Sequence, residues 1–78
     1  MLHRIEWLED GEFDLLPGGD KRGRLERVHI CAGEVLEGVV RCHVTDDLVE
    51  VADITLADDT GVLPDVPCAY FRFLDMKW

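Results

Sequence analysis

The sequence predicts a single, mainly β domain spanning residues 1–78, built as a small antiparallel barrel or a strongly bent sheet of five or six short strands. Apolar and polar residues alternate in short runs, and clusters of Gly, Asp and Pro separate these runs at intervals of about ten residues. The chain is 47% hydrophobic and 32% charged, so it is too apolar to be disordered. Its 78 residues suit one small domain with a limited core.

The first two runs predict a β-hairpin. Ile5 and Trp7 alternate with charged residues, an Asp-Gly turn follows at Asp10 and Gly11, and the alternation then resumes. An Asp-Gly pair between two alternating runs is a strong hairpin signal. Residues 18–23 hold three glycines, which predicts a loop and the best candidate for local mobility.

Three further runs predict strands, and one run is ambiguous. Residues 24–31 and 48–56 read as strands, and the apolar, aromatic run 68–74 predicts the last strand. Residues 34–44 fit one face of a helix as well as a strand. We favour a strand, because Gly38 interrupts the segment and its many β-branched residues disfavour a helix. The alternative is an α+β fold with one helix near 34–44.

The charge balance limits the partners. Seventeen acidic residues against eight basic ones give a net charge of −9, which repels nucleic acids and anionic lipid surfaces. We therefore expect no direct nucleic-acid binding and no membrane binding, and we consider a basic protein instead. The N-terminus has no apolar secretion segment, and no apolar run approaches the ~20 residues of a membrane span. Three cysteines do not make a closed disulfide framework, so we expect a cytoplasmic location.

Charge is unevenly distributed along the chain. Basic side chains concentrate in residues 21–27, whereas residues 42–71 contain carboxylates and neither Lys nor Arg. Such segments either neutralise one another within a molecule or meet across an interface, where they set register and association rate more than affinity. The complementary patch predicted from this pattern consists of Lys21, Arg22, Arg24, Arg27, Asp46, Asp47, Asp58 and Asp59.

Aromatic residues concentrate at the C-terminus. In a strand, Phe71 and Phe73 share one face, and Tyr70 and Leu74 share the other. Both faces therefore carry apolar side chains, and aromatic residues are enriched at protein interfaces. We predict that a second copy of the chain covers one face. The predicted homodimer contact comprises Tyr70, Phe71, Phe73, Leu74, Met76 and Trp78.

No residue pattern indicates catalysis, a cofactor or a bound metal. A zinc site built from cysteine and histidine would have to form across neighbouring strands, because the chain has no closely spaced Cys pair. The residues available for it are His29, Cys31, Cys42, His43 and Cys68. The same residue types could serve a cysteine enzyme, but the chain has no serine and no catalytic signature. We predict no catalytic residue, no cofactor and no metal ligand, with the cysteines packed in the core and the paired carboxylates in turns.

The function predicted from these patterns is a small non-catalytic protein–protein interaction module that self-associates through its aromatic C-terminal strand. The alternative is an acidic inhibitor of a DNA-binding protein that mimics nucleic acid by presenting carboxylates in ordered rows. A small enzyme with a Cys/His site between subunits is the third candidate.

Overall fold

The computed structural model describes residues 2–18 and 24–75, and it confirms a mainly β, strongly bent sheet. The described residues form seven strands rather than five or six. They are β1 (His3–Trp7), β2 (Gly11–Pro17), β3 (Glu26–Ile30), β4 (Val35–Val44), β5 (Glu50–Leu56), β6 (Gly61–Pro67) and β7 (Phe71–Phe73). All lie in one antiparallel sheet with the order β3-β2-β6-β5-β4-β1-β7, and the sheet does not close into a barrel. The glycine-rich loop predicted at 18–23 lies outside the described residues, apart from Gly18.

The ambiguous segment is a strand. β4 runs unbroken over ten residues and pairs with β1 through its first half and with β5 through its second. Gly38 is buried where these strands meet, and a Cβ at this position would collide with the backbone oxygen of Thr55 on β5. The helix alternative near 34–44 is therefore wrong, and no α-helix occurs within 2–18 or 24–75. No helix in that part of the chain could cross a membrane.

The predicted hairpin between the first two strands is wrong. β1 pairs with β4 and β7, whereas β2 pairs with β3 and β6. The Asp-Gly segment connects these two strands, and the Asp10 carboxylate accepts a hydrogen bond from the backbone N–H of Ala32. The Trp7 and Phe13 rings then meet edge-to-face across the core, with centroids 5.1 Å apart.

The core lies against one face of the bent sheet and includes residues from strands at both ends of the strand order. Its largest fully buried side chains are Ile5, Trp7, Ile54, Leu63 and Val66. The last predicted strand is shorter than expected, since residues 68–70 form a 3₁₀ turn before β7. The Phe71 ring stacks on Trp7 at a centroid distance of 5.9 Å and is buried in this core.

A β-bulge distorts the pairing of β5 with β6. Ala52 pairs with Val66 and Ile54 with Leu63, so Pro64 and Asp65 both lie opposite the single residue Asp53. Asp65 takes a left-handed conformation with φ of 52°, which is uncommon for a residue with a side chain. Bulges of this kind change the direction of a side chain and recur beside functional sites. This bulge positions the site described next.

Candidate functional site

The bulge gathers a histidine and two aspartates on the outer face of the sheet. The Nε2 atom of His43 lies 3.0 Å from Oδ1 of Asp65, and its Nδ1 atom lies 3.9 Å from Oδ2 of Asp53. The backbone N–H of Asp65 donates to Oδ1 of Asp53 at 3.0 Å. We call these three residues the His/Asp cluster. Their side chains are 42%, 40% and 70% exposed for His43, Asp53 and Asp65, so solutes can reach all three.

Strand alternation places the cluster opposite the core. Ala52 and Ile54 point into the core and are completely buried, so Asp53 between them points outward. Val51 is two residues from Asp53 and therefore shares its face of β5. His43 on the neighbouring strand is the backbone partner of Val51, so it lies on this outer face as well. The bulge adds Asp65 from the third strand. Three adjacent strands thus supply one side chain each.

The cluster has ligand types that suit a divalent metal ion. Each of the three residues offers one ligand atom, and these three atoms all lie within 4.8 Å of one another. No single feature of the sequence indicates it. Its members are widely separated along the chain, and the bulge that brings Asp65 back towards Asp53 depends on pairing between strands.

An open groove of about 360 Å³ adjoins the cluster at Asp65. Its aromatic side is formed by Phe13 and Tyr70, whose rings meet edge-to-face at a centroid distance of 5.5 Å. The lining residues come from β2, β3, β6 and the 3₁₀ turn. The lining consists of Glu12, Phe13, Asp14, Arg27, Pro64, Asp65, Pro67 and Tyr70. We call this feature the acidic groove.

Carboxylates outnumber the basic group in the acidic groove. The Arg27 guanidinium donates to Asp14 at 2.9 Å and lies 4.0 Å from a Glu12 oxygen. Asp65 contributes a third carboxylate and is not among the partners of Arg27. The groove therefore presents a net negative charge beside an aromatic wall.

The six described members of the predicted charge patch lie in separate parts of the fold. Arg27 pairs with acids of β2 that were not assigned to the patch, and Arg24 is exposed two residues before β3 begins. The Asp46–Asp47 pair lies in the turn before β5, and the Asp58–Asp59 pair lies in the turn after it. The two acidic pairs are thus separated by the length of a strand, and they do not form a continuous row. Lys21 and Arg22 lie outside the described residues.

Turn geometry explains one of these acidic pairs. The hydroxyl and the backbone N–H of Thr60 both donate to the Asp58 carboxylate. These hydrogen bonds, led by that of the hydroxyl, lower the pKa of Asp58 below its ordinary value. Asp58 therefore has a local structural role in the turn between β5 and β6, as predicted for a carboxylate in a turn.

The predicted interface residues fall in different environments. Phe71 belongs to the core, and Tyr70 and Phe73 are partly buried against it. Leu74 is 42% exposed. Three of the aromatic residues predicted to form an interface are therefore part of the core or pack against it. Met76 and Trp78 lie outside the described residues.

The Cys/His set divides into separate groups. Cys42 and Cys68 are neighbours that line a shared pocket at one end of β4 and β5. Burial raises the pKa of the Cys68 thiol, and the adjacent Cys42 raises it further. His29 lies across the β2–β3 ladder from Glu12, and Cys31 follows the end of β3. Cys31 and Cys42 are exposed rather than packed in the core, which corrects the prediction for these two residues.

Comparison with family models, with curated proteins and with solved structures finds no match to this chain. The geometry of the acidic groove and of the His/Asp cluster therefore provides the basis for a functional assignment.

Proposed function

We propose that this protein is a non-catalytic protein–protein interaction module that binds a basic segment of a partner in the acidic groove. The observation that carries the proposal is the combination, in one groove, of three carboxylates, one guanidinium and an aromatic wall. The net charge of −9 adds long-range attraction for a basic partner.

A lysine or arginine side chain has an apolar stem and a charged end, and the groove offers apolar and acidic residues to match them. Its aliphatic stem can pack on Pro64, Pro67 and Tyr70 while its charged end reaches Asp65. A cation near an aromatic ring gains roughly 0.5–1 kcal/mol at an exposed site. The groove volume of about 360 Å³ lies at the small end of the range for ligand pockets, which suits one or two side chains. Weak, salt-sensitive binding of a short basic segment is the expected behaviour.

The test is a fluorescence-anisotropy titration with a short fluorescein-labelled peptide of alternating lysine and alanine, in the presence of EDTA. The double variant Glu12→Gln/Asp65→Asn removes two groove carboxylates and is expected to weaken binding roughly fivefold or more, as two exposed ion pairs would. The matched control is Asp46→Asn/Asp47→Asn, which changes the net charge equally at the exposed turn before β5. An equal loss of affinity in both double variants would show attraction to overall charge and would refute the groove.

Self-association through the C-terminal strand is a second candidate, and the position of β7 favours it. Within the described residues β7 pairs with β1 alone and forms one edge of the sheet. Leu74 donates its backbone N–H to Arg4 of β1, and Tyr70 accepts from Leu8. Because bonding direction alternates along a strand, the backbone groups of Phe73 point to the open edge. A second copy could pair there, with Leu74 beside the contact.

Sedimentation velocity at tens of micromolar protein tests this second candidate. Leu74→Lys is expected to shift a dimer towards monomer, because it places a charge beside the open edge. Leu48→Lys is the matched control, since Leu48 is 84% exposed at the far hairpin turn. A wild-type protein that sediments as a monomer, or a dimer that Leu74→Lys leaves intact, would exclude this contact.

A further inference from the structure

We propose that the His/Asp cluster is a binding site for a divalent first-row transition-metal ion, with Zn²⁺ as the probe. The three ligands are an imidazole nitrogen of His43 and carboxylate oxygens of Asp53 and Asp65. This site goes beyond the peptide-binding function, with which it shares one residue, Asp65.

The spacing of the ligand atoms fits a common ion. Two atoms bound to one zinc ion at about 2.1 Å and at the tetrahedral angle lie about 3.4 Å from each other. Nε2 of His43 and Oδ1 of Asp65 are 3.0 Å apart, which is close to this spacing. All three ligand atoms lie within 4.8 Å of one another. Oδ2 of Asp53 lies nearest the other ring nitrogen, Nδ1, at 3.9 Å, so a shared ion requires the His43 or Asp53 side chain to rotate.

The surrounding backbone favours this arrangement. The N–H of Asp65 donates to Oδ1 of Asp53, which orients that carboxylate and leaves Oδ2 on the side of His43. Hydrogen bonds of this kind to ligating carboxylates support metal sites. The bulge supplies the third ligand from a neighbouring strand, so the donors are held by β4, β5 and β6.

The donor set determines the class of ion. Imidazole suits Zn²⁺, Fe²⁺, Ni²⁺ and Cu²⁺, whereas Mg²⁺ and Ca²⁺ prefer oxygen ligands alone. Three protein ligands leave coordination positions open to water or to a group of a bound partner. Arg41 is the backbone partner of Asp53 on the same face and opposes a bound cation, so a moderate affinity is expected.

Isothermal titration with zinc chloride tests the site on the full chain. One ion per chain is expected, and Mg²⁺ and Ca²⁺ at the same concentration should not compete. His43→Gln and Asp53→Asn are each expected to weaken zinc binding by about tenfold or more. The matched controls are His29→Gln and Asp47→Asn, which change the same residue types at exposed positions away from the cluster. Binding that the cluster variants leave unchanged would overturn the proposal.

The neighbouring thiols of Cys42 and Cys68 require a separate readout, since thiolates also bind zinc. Cobalt(II) provides one, because thiolate ligation adds a charge-transfer absorption that nitrogen and oxygen ligands do not produce. The cluster should bind cobalt without this absorption, and binding should persist in Cys42→Ser. A thiolate absorption that disappears in Cys42→Ser together with cobalt binding would assign the ion to the cysteines and refute the cluster.

The metal site and the peptide groove can fail independently. His43→Gln removes a metal ligand and does not alter a groove residue, whereas Glu12→Gln alters the groove and no metal ligand. Loss of zinc binding with unchanged peptide affinity in His43→Gln would support the metal site. Zinc binding that Glu12→Gln abolishes while His43→Gln does not would overturn it.

Discussion

The two faces of β5 differ sharply in chemistry although they alternate along one strand. Ala52 and Ile54 are completely buried, whereas Asp53 between them has a side chain that is 40% exposed and lies beside His43 and Asp65. The inner face contributes apolar burial, which is the main source of stability in a small domain. The outer face buries Val51, and its ion pairs between exposed groups add little. Folding and binding therefore depend on different residues of the same strand, and substitutions should separate them.

The largest effect is expected from the inner face, with Ile54→Ala. Removing a fully buried isoleucine typically costs about 2–5 kcal/mol, and a domain of this size has only a few kcal/mol of net stability. We therefore expect a protein that is largely unfolded at room temperature, measured by far-ultraviolet circular dichroism and urea titration. Ile54→Val should cost about 0.5–1.5 kcal/mol and remain folded. An Ile54→Ala protein with an unchanged urea midpoint would contradict the assignment of this face to the core.

A smaller loss of stability is expected from Gly61→Ala, at the contact between β2 and β6. Gly61 has φ of 148° and pairs with Pro17, and a Cβ there would collide with the backbone oxygen of Leu16. Strain together with a collision should cost about 1–3 kcal/mol in the free energy of unfolding. Gly33→Ala is the matched control, because Gly33 has φ of 91° and open space around its Cα. A loss in Gly33→Ala as large as in Gly61→Ala would mean that conformation alone, rather than the close approach of β2 and β6, requires glycine.

The sequence predicted the strands more successfully than it predicted their pairing or the outer site. Alternation at Ile5 and Trp7 predicted a strand with these two residues on one face, and in the structure both are buried. The pairing of strands was not predictable in the same way, because an Asp-Gly pair is a local signal. In the structure β1 pairs with β4 and β7, whereas β2 pairs with β3 and β6, so all of these partners come from later in the chain or from beyond the turn.

The outer site depends on pairing that no local pattern specifies. His43 and Asp65 are 22 positions apart, and Asp53 and Asp65 are 12 positions apart. Pro64 in the sequence is typical of an irregular or edge segment. It did not indicate that two residues of β6 would face one residue of β5. A bulge arises from the register of two strands as a whole, so the cluster could be found only once that register was known.

The outer face should tolerate substitution with little loss of stability, and His43→Gln tests this. The ion pairs of His43 are exposed, and such pairs contribute about 0–1 kcal/mol. We expect a change in unfolding free energy of less than about 1 kcal/mol by urea titration in EDTA. A loss above about 2 kcal/mol would make the cluster a structural element, and the separation between the two faces of the sheet would no longer hold.

The smallest effect is expected at the turn between β5 and β6, where the hydrogen bonds from Thr60 lower the pKa of Asp58 below the ordinary value of 3.8. A lowered pKa in the folded state means that the contribution to stability is fully present above the ordinary pKa and is lost as the pH falls through the lower, folded value. Thr60→Val removes the hydroxyl donor, so the pKa of Asp58 should rise towards 3.8 while stability at neutral pH changes little. A carboxyl-detected nuclear magnetic resonance titration measures this pKa directly. Thr55→Val is the control, because Thr55 is exposed on β5 and its substitution should leave the pKa of Asp58 unchanged. If Thr60→Val also left that pKa unchanged, the Thr60 hydroxyl would not be the cause of the lowered pKa. The side chains of this turn would then contribute still less to folding than the comparison of the two faces implies.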